Sequence, residues 1–186
     1  MEELDLTGSE DCLLERGDDV LDSYFRLKRV HLSITDAHQL RRVASALETQ
    51  NCSVEEMKIC TDADVFESGI NSVFDALQMN STLKVLKCGR HIGYYMEQIG
   101  GGESIDWSLL SKSVCNVSSI EQTYNSNHAI QRVEIEFPDF NIPLDIYSLL
   151  YLNRNENKHV VARKKVLDNH SVDHLDYVTT SLPILL

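Results

Sequence analysis

The residues that could do chemistry are few and widely spaced. His170 and His174 stand four apart in the run HSVDH, so one helical face could carry both, with Asp173 and Asp176 near by. That spacing suits zinc, but the sequence indicates no third ligand, and isolated pairs of this kind are usually solvated. Gly100-Gly101-Gly102 lacks the G-K-[ST] ending of a phosphate loop and any strand directly before it, so it reads as a flexible insertion tip. A cysteine nucleophile needs a nearby histidine and a third group to orient it. Cys60, Cys88 and His31 could lie on adjacent strands, yet Cys88 falls at an inward position, where cysteine serves as a small apolar residue. Arg163-Lys164-Lys165 is too short for a nucleic-acid patch and belongs on the solvated side of a helix. The expectation is a chain without a catalytic set, a cofactor or a metal site.

The elements that would position any functional side chain come from a repeat. The segments NCSVEEMKIC (51–60), NSTLKVLKCG (80–89) and NHAIQRVEIE (127–136) share an Asn, two intervening residues and an apolar-x-x-apolar-x-apolar frame. The frames are Val54, Met57, Ile59; Leu83, Leu86, Cys88; and Ile130, Val133, Ile135, with a further one upstream at Leu27, Val30, Leu32. A looser copy, Asn116 with Ile120 and Thr123, fits the longer gap before the last frame. Between frames the apolar period changes to that of a helix. Val43 and Leu47 lead into Asn51; Gly69, Val73 and Leu77 into Asn80; Leu110 and Val114 into Asn116. Each unit therefore reads as a short strand, a loop, a helix and a return, the Asn marking the helix stop.

The frame L-x-x-L-x-L followed by G-x-x-x-L-x-x-x-L-x-x-N-x-x-L resembles the leucine-rich repeat of the ribonuclease-inhibitor-like subclass. The best match runs from Val54, Met57 and Ile59 through Gly69, Val73 and Leu77 to Asn80 and Leu83, and the resemblance covers roughly residues 25–153. Leucine is often replaced by Val, Ile, Met or Cys, and the Asn expected after each strand is Asp62 in one unit. The resemblance implies an α/β fold, a short curved solenoid with parallel strands on its concave face and helices on its convex face. Helix and return in 154–170 would cap the C-terminal end, leaving 171–186 as a flexible tail.

The chain has 186 residues and a net charge of −12. Residues 1–22 carry nine acids against Arg16 alone, which predicts a solvated, disordered acidic arm ahead of a domain over 23–153. So anionic a chain is poorly suited to bind nucleic-acid phosphates. Five cysteines without a C-x-x-C pair, behind an N-terminus lacking a basic and apolar leader, predict reduced thiols in the cytoplasm. No apolar run approaches the ~20 residues of a membrane span.

The surface left for function is the face of the strands. Its outward positions are Lys28, Arg29, His31; Glu55, Glu56, Lys58; Lys84, Val85, Lys87; Glu121, Gln122; and Gln131, Arg132, Glu134. Lys58 and Lys87 share a repeat position and should be neighbours at the ~4.8 Å strand spacing. Two readings stay open: a row that engages an acidic protein partner, and a solvated face whose glutamates neutralise the lysines. The loop 89–106 offers Tyr94, Tyr95 and Met96, large side chains suited to an interface or to covering the core. The expected function is a non-catalytic protein-interaction module, with Arg29, His31, Glu56, Lys58, Val85, Lys87, Tyr94, Tyr95, Arg132 and Glu134 as binding residues. The alternative that the resemblance implies is an enzyme regulator such as a GTPase-activating protein, with Arg90 as its exposed arginine.

Overall fold

A computed structural model describes residues 3–5, 24–90, 105–137, 140–154 and 157–170. Five parallel strands form one sheet in sequence order: β1 (Glu3–Asp5), β2 (Arg29–Ser33), β3 (Glu56–Thr61), β4 (Val85–Arg90) and β5 (Arg132–Ile135). Helices α1 (Ala37–Leu47) and α2 (Ala63–Ala76) connect β2, β3 and β4. Between β4 and β5 come α3 (Trp107–Val114) and α4 (Ile120–Tyr124), and after β5 come α5 (Leu144–Leu152) and α6 (Lys158–His170). The α/β class and the strand positions agree with the expectation. The tip of the acidic arm departs from it, because residues 3–5 pair with β2 as an edge strand.

The strands alternate as the frames require. Val30, Leu32, Met57, Ile59, Leu86, Cys88 and Val133 are buried on one face, with Leu27 and Ile135 packed at its margin. Leu40, Val43, Leu47, Phe66, Ile70, Val73, Phe74, Leu77 and Leu110 meet them in a single core, so the helices lie over the apolar face and leave the other open. Asp36 caps α1 by accepting from the Gln39 amide at 2.9 Å, and Asp106 caps α3 through the Ser108 amide at 3.0 Å. Gly69 lets α1 and α2 close together: a Cβ there would stand 2.6 Å from Leu40 Cδ1 and 2.9 Å from its Cβ.

The repeated asparagines set the register. Asn80 Nδ2 donates to Leu47 O at 2.8 Å, while its Oδ1 accepts from the amides of Thr82 and Leu83 at 3.1 and 2.8 Å. Asn127 repeats the arrangement one unit on, donating to Leu77 O and Asn80 O at 2.7 Å and accepting from Ala129 and Ile130. Asn153, which the frames did not single out, donates to Asn127 O and Ile130 O at 3.1 and 2.7 Å. Asn51 is different. It is exposed, and the buried Cys52 occupies the end of this ladder, its Sγ 3.5 Å from Asn80 Nδ2.

Three expectations need correction. The looser copy at Asn116–Thr123 runs into a helix, Ile120–Tyr124, and forms no strand, because Ser119 caps that helix through the Gln122 amide at 3.1 Å. β4 therefore pairs directly with β5, and Glu121 and Gln122 are exposed on α4 instead of the sheet. Of the two helices expected over 142–170 to cap the last strand, α5 packs beside β5 and α6 packs along α4. Finally, Arg163 and Lys164 are solvated, but Lys165 is 0% exposed and donates to Val114 O at 2.6 Å, satisfying the last carbonyl of α3. Burial holds Lys165 down to about 8.

Asn127→Ala removes two donated bonds and leaves two buried amides without an acceptor, so it should cost about 3–5 kcal/mol in chemical denaturation. Asn51→Ala, its counterpart by sequence, should stay within about 0.5 kcal/mol of wild type. Equal losses would contradict the ladder.

Candidate functional site

The open face is built from three rows that run across the strands. The first is Arg29, Glu56, Val85 and Arg132; the second is His31, Lys58, Lys87 and Glu134, each residue a register partner of the next. In the third, Ser33, Cys60 and Gly89 are register partners in turn, and Glu136 follows on from β5. Eight of the expected binding residues thus share one surface, with Lys58 beside Lys87 as their repeat position requires. Tyr94 and Tyr95 lie outside the described residues.

Carboxylates interleave with the cations. Glu56 accepts from Arg29 Nε at 3.4 Å and Lys87 Nζ at 3.1 Å, and Glu134 from Arg132 Nε at 3.2 Å with Lys87 Nζ at 3.9 Å. At the lower rim Glu55 bridges Lys28 and Lys84, both at 2.5 Å. Lys58 is half-buried between His31 and Lys87 and pairs with no carboxylate among the described residues. Glu121 leaves the sheet, but Glu136 joins its third row and Glu3 and Asp5 of β1 are register partners of Arg29 and His31, so the face is no more basic than the sequence implied. Such exposed pairs are individually weak, so the face is organised without being rigidly self-sealed.

The third row holds Cys60 and Gly89. His31 Nε2 stands 3.2 Å from Cys60 Sγ, whereas Cys88 lies on the opposite, apolar face, where burial pushes its thiol far above the usual range. His31 and Cys60 thus meet, while Cys88 faces inward as its frame position requires. Gly89 matters to this row because a Cβ there would stand 2.4 Å from Glu136 Oε2; the carboxylate occupies the space that the glycine leaves. A strand glycine followed by a later Glu gives no signal of that pairing. Arg90 is not a projecting finger: its Nε is buried and its guanidinium lies over the Phe137 ring at 5.7 Å. His170 Nε2 sits 2.8 Å from Thr123 Oγ1, and His174 lies outside the described residues. Among the described residues no three His, Cys, Asp or Glu side chains gather as metal ligands, and no helix is long and apolar enough to cross a membrane.

No protein-family model matches the sequence, and no curated protein matches it. A solved structure titled Leiomodin-1 Actin-Binding Site 2 (ABS2) is similar at a TM-score of 0.52, over 88% of this chain and 86% of that one. The two are 17% identical. The likeness is one of fold.

The electrostatics of the rim can be read directly. Hydrogen bonds from Lys28 and then Lys84 hold the Glu55 carboxyl down to about 2, below the ordinary 4.5. Its contribution to stability is complete above pH 4.5 and is lost as pH falls from there through 2. Carboxyl-carbon NMR should find a Glu55 midpoint near 2 that rises in Lys84→Met. An ordinary midpoint in wild type would show that the bridge does not form.

Proposed function

We propose that the chain is a non-catalytic protein-interaction domain that binds an acidic partner surface through the open sheet face. In this reading the sheet and its helices are a short leucine-rich-repeat solenoid of the ribonuclease-inhibitor-like type, and the open face is its concave side. The observation that carries the proposal is the register pair Lys58 and Lys87. It places adjacent cations on a chain of net charge −12, and Lys58 has no described carboxylate partner. Neighbouring like charges are mildly unfavourable in the free protein, and an acidic group set against Lys58 relieves that repulsion.

The similar structure supports the same class of work by analogy. Its title describes an actin-binding site, and a fold of this kind that binds one protein offers the surface to bind another. The residues assigned to binding are Arg29, His31, Glu56, Lys58, Val85, Lys87, Arg132 and Glu134. The loop carrying Tyr94 and Tyr95 extends the proposed surface. A GTPase-activating role draws no support from Arg90, whose guanidinium is engaged with Phe137.

The test is paired affinity capture from native lysate with wild-type and Lys58→Glu/Lys87→Glu baits, purified actin serving as one defined probe. The double variant should fold normally, losing about 0.5–1 kcal/mol for each reversal. Proteins held by the wild type should be lost from the variant, and their retention should weaken as salt rises. Identical captures from the two baits would move binding off this face.

A further inference from the structure

The last unit of the sheet is unfinished in three independent ways. The first is a strand edge. The amides of Arg132 and Glu136 donate to Lys84 O and Cys88 O of β4, at 3.1 and 2.8 Å. In a parallel ladder alternate residues point their backbone groups to opposite sides, so Val133 and Ile135 present N–H and C=O away from β4. Among the described residues no strand pairs with that edge. The second is an acceptor. Asn80 and Asn127 each satisfy Oδ1 with amides two and three residues on, where the following strand begins. Asn153 is 0% exposed, and its Oδ1 has no hydrogen-bond partner among the described residues. The third is a groove of about 420 Å³ between β5 and α5, walled by Val133, Glu134, Tyr147, Leu150, Tyr151 and Arg154. Tyr151 is 68% exposed there and Tyr147 47%, on one face of α5, with the Arg154 guanidinium 5.3 Å from the Tyr151 ring.

We propose that this edge receives an extended segment of another protein, which adds to the sheet as a sixth parallel strand. The three features specify its chemistry. Its backbone must pair with Val133 and Ile135 and supply an N–H to Asn153 Oδ1. Alternate side chains must be apolar to continue the core beside Val133. The outward side chains must meet Arg132 and Glu134, which calls for an acid followed two residues later by a base. The sheet already uses that complement: Glu56 pairs with Arg29 of the preceding strand, and Lys87 with Glu134 of the following one. Strand addition of this kind draws affinity from the main chain and specificity from alternate side chains. This surface shares Arg132 and Glu134 with the open face but uses neither Lys58 nor Lys87, so the Lys58→Glu/Lys87→Glu and Tyr151→Ala variants test the two proposals apart.

The probe is a fluorescent synthetic peptide of residues 51–60 with serine for both cysteines, which carries Glu56 and Lys58 in the required order. Titrated with the full chain, it should bind saturably and perturb the Val133 and Ile135 amides in NMR spectra. Exchanging Glu and Lys within the peptide should weaken binding about tenfold, as should Arg132→Glu in the protein. Tyr151→Ala, at an exposed position where folding by circular dichroism should be unchanged, should weaken it as well. Absence of binding at millimolar peptide, or binding that leaves the Val133 and Ile135 amides unmoved, overturns the proposal. So does a wild-type dimer in sedimentation that Tyr151→Ala dissolves, since the edge would then belong to a second copy of this chain.

Discussion

A carboxamide buried where a helix gives way to a strand has two donors and two acceptor sites to satisfy, and few places in which all of them can be met. Asn80 and Asn127 meet theirs by reaching backward and forward at once. Nδ2 takes a carbonyl at the end of the preceding unit, and Oδ1 takes the first amides of the unit's own strand. The position of each strand is thereby tied to the helix before it. The ties run in series, Leu47 to Asn80, Asn80 to Asn127, Asn127 to Asn153. Apolar burial drives the helices onto the sheet but tolerates sliding, whereas a buried amide out of place loses its bonds outright. The parallel register from β3 to β5 depends on this constraint.

What the register delivers is an ordered open face. Parallel sheets are commonly covered on both sides. Here one side carries the core and the other carries rows of charge, because the frame residues alternate inward and the residues between them do not. A shift of one position would bury Lys58 and expose Met57 and Ile59. The ion pairs on the face are thus a consequence of the ladder beneath it. Glu56 can serve both Arg29 and Lys87 only because three strands hold their partners level. The same logic makes the outer edge of β5 informative, since the series of ties ends there on an acceptor without a partner among the described residues.

Much of this was legible in the sequence, and the failures have physical reasons. Strand positions followed from the frames because period-two burial leaves a direct pattern in residue type, as at Val54, Met57 and Ile59. Lys58 beside Lys87 followed from the same alignment. The copy at Asn116 misled because spacing alone cannot weigh a local cap, and Ser119 with Gln122 turns that stretch into a helix. Asn153 was missed because the frame that ought to follow it is absent: residues 158–170 are helical instead. Lys165 looked solvated by type, yet the open carbonyl of α3 and His128 Nδ1 at 3.2 Å give its ammonium a buried place. The Glu136 carboxylate over Gly89 depends on a contact between residues far apart in sequence, which no local pattern encodes.

The central claim is that the buried asparagines, and not the apolar frames alone, hold the units in register. Side-chain amide hydrogen exchange tests it most directly, because each Asn NH₂ reports its own bonds. Asn80, Asn127 and Asn153 should exchange only through large-scale opening, at rates close to those of the core strand amides. Asn51, with the same sequence setting but an exposed side chain, should exchange near the free-peptide rate. Exchange of Asn127 as fast as that of Asn51 would contradict the account.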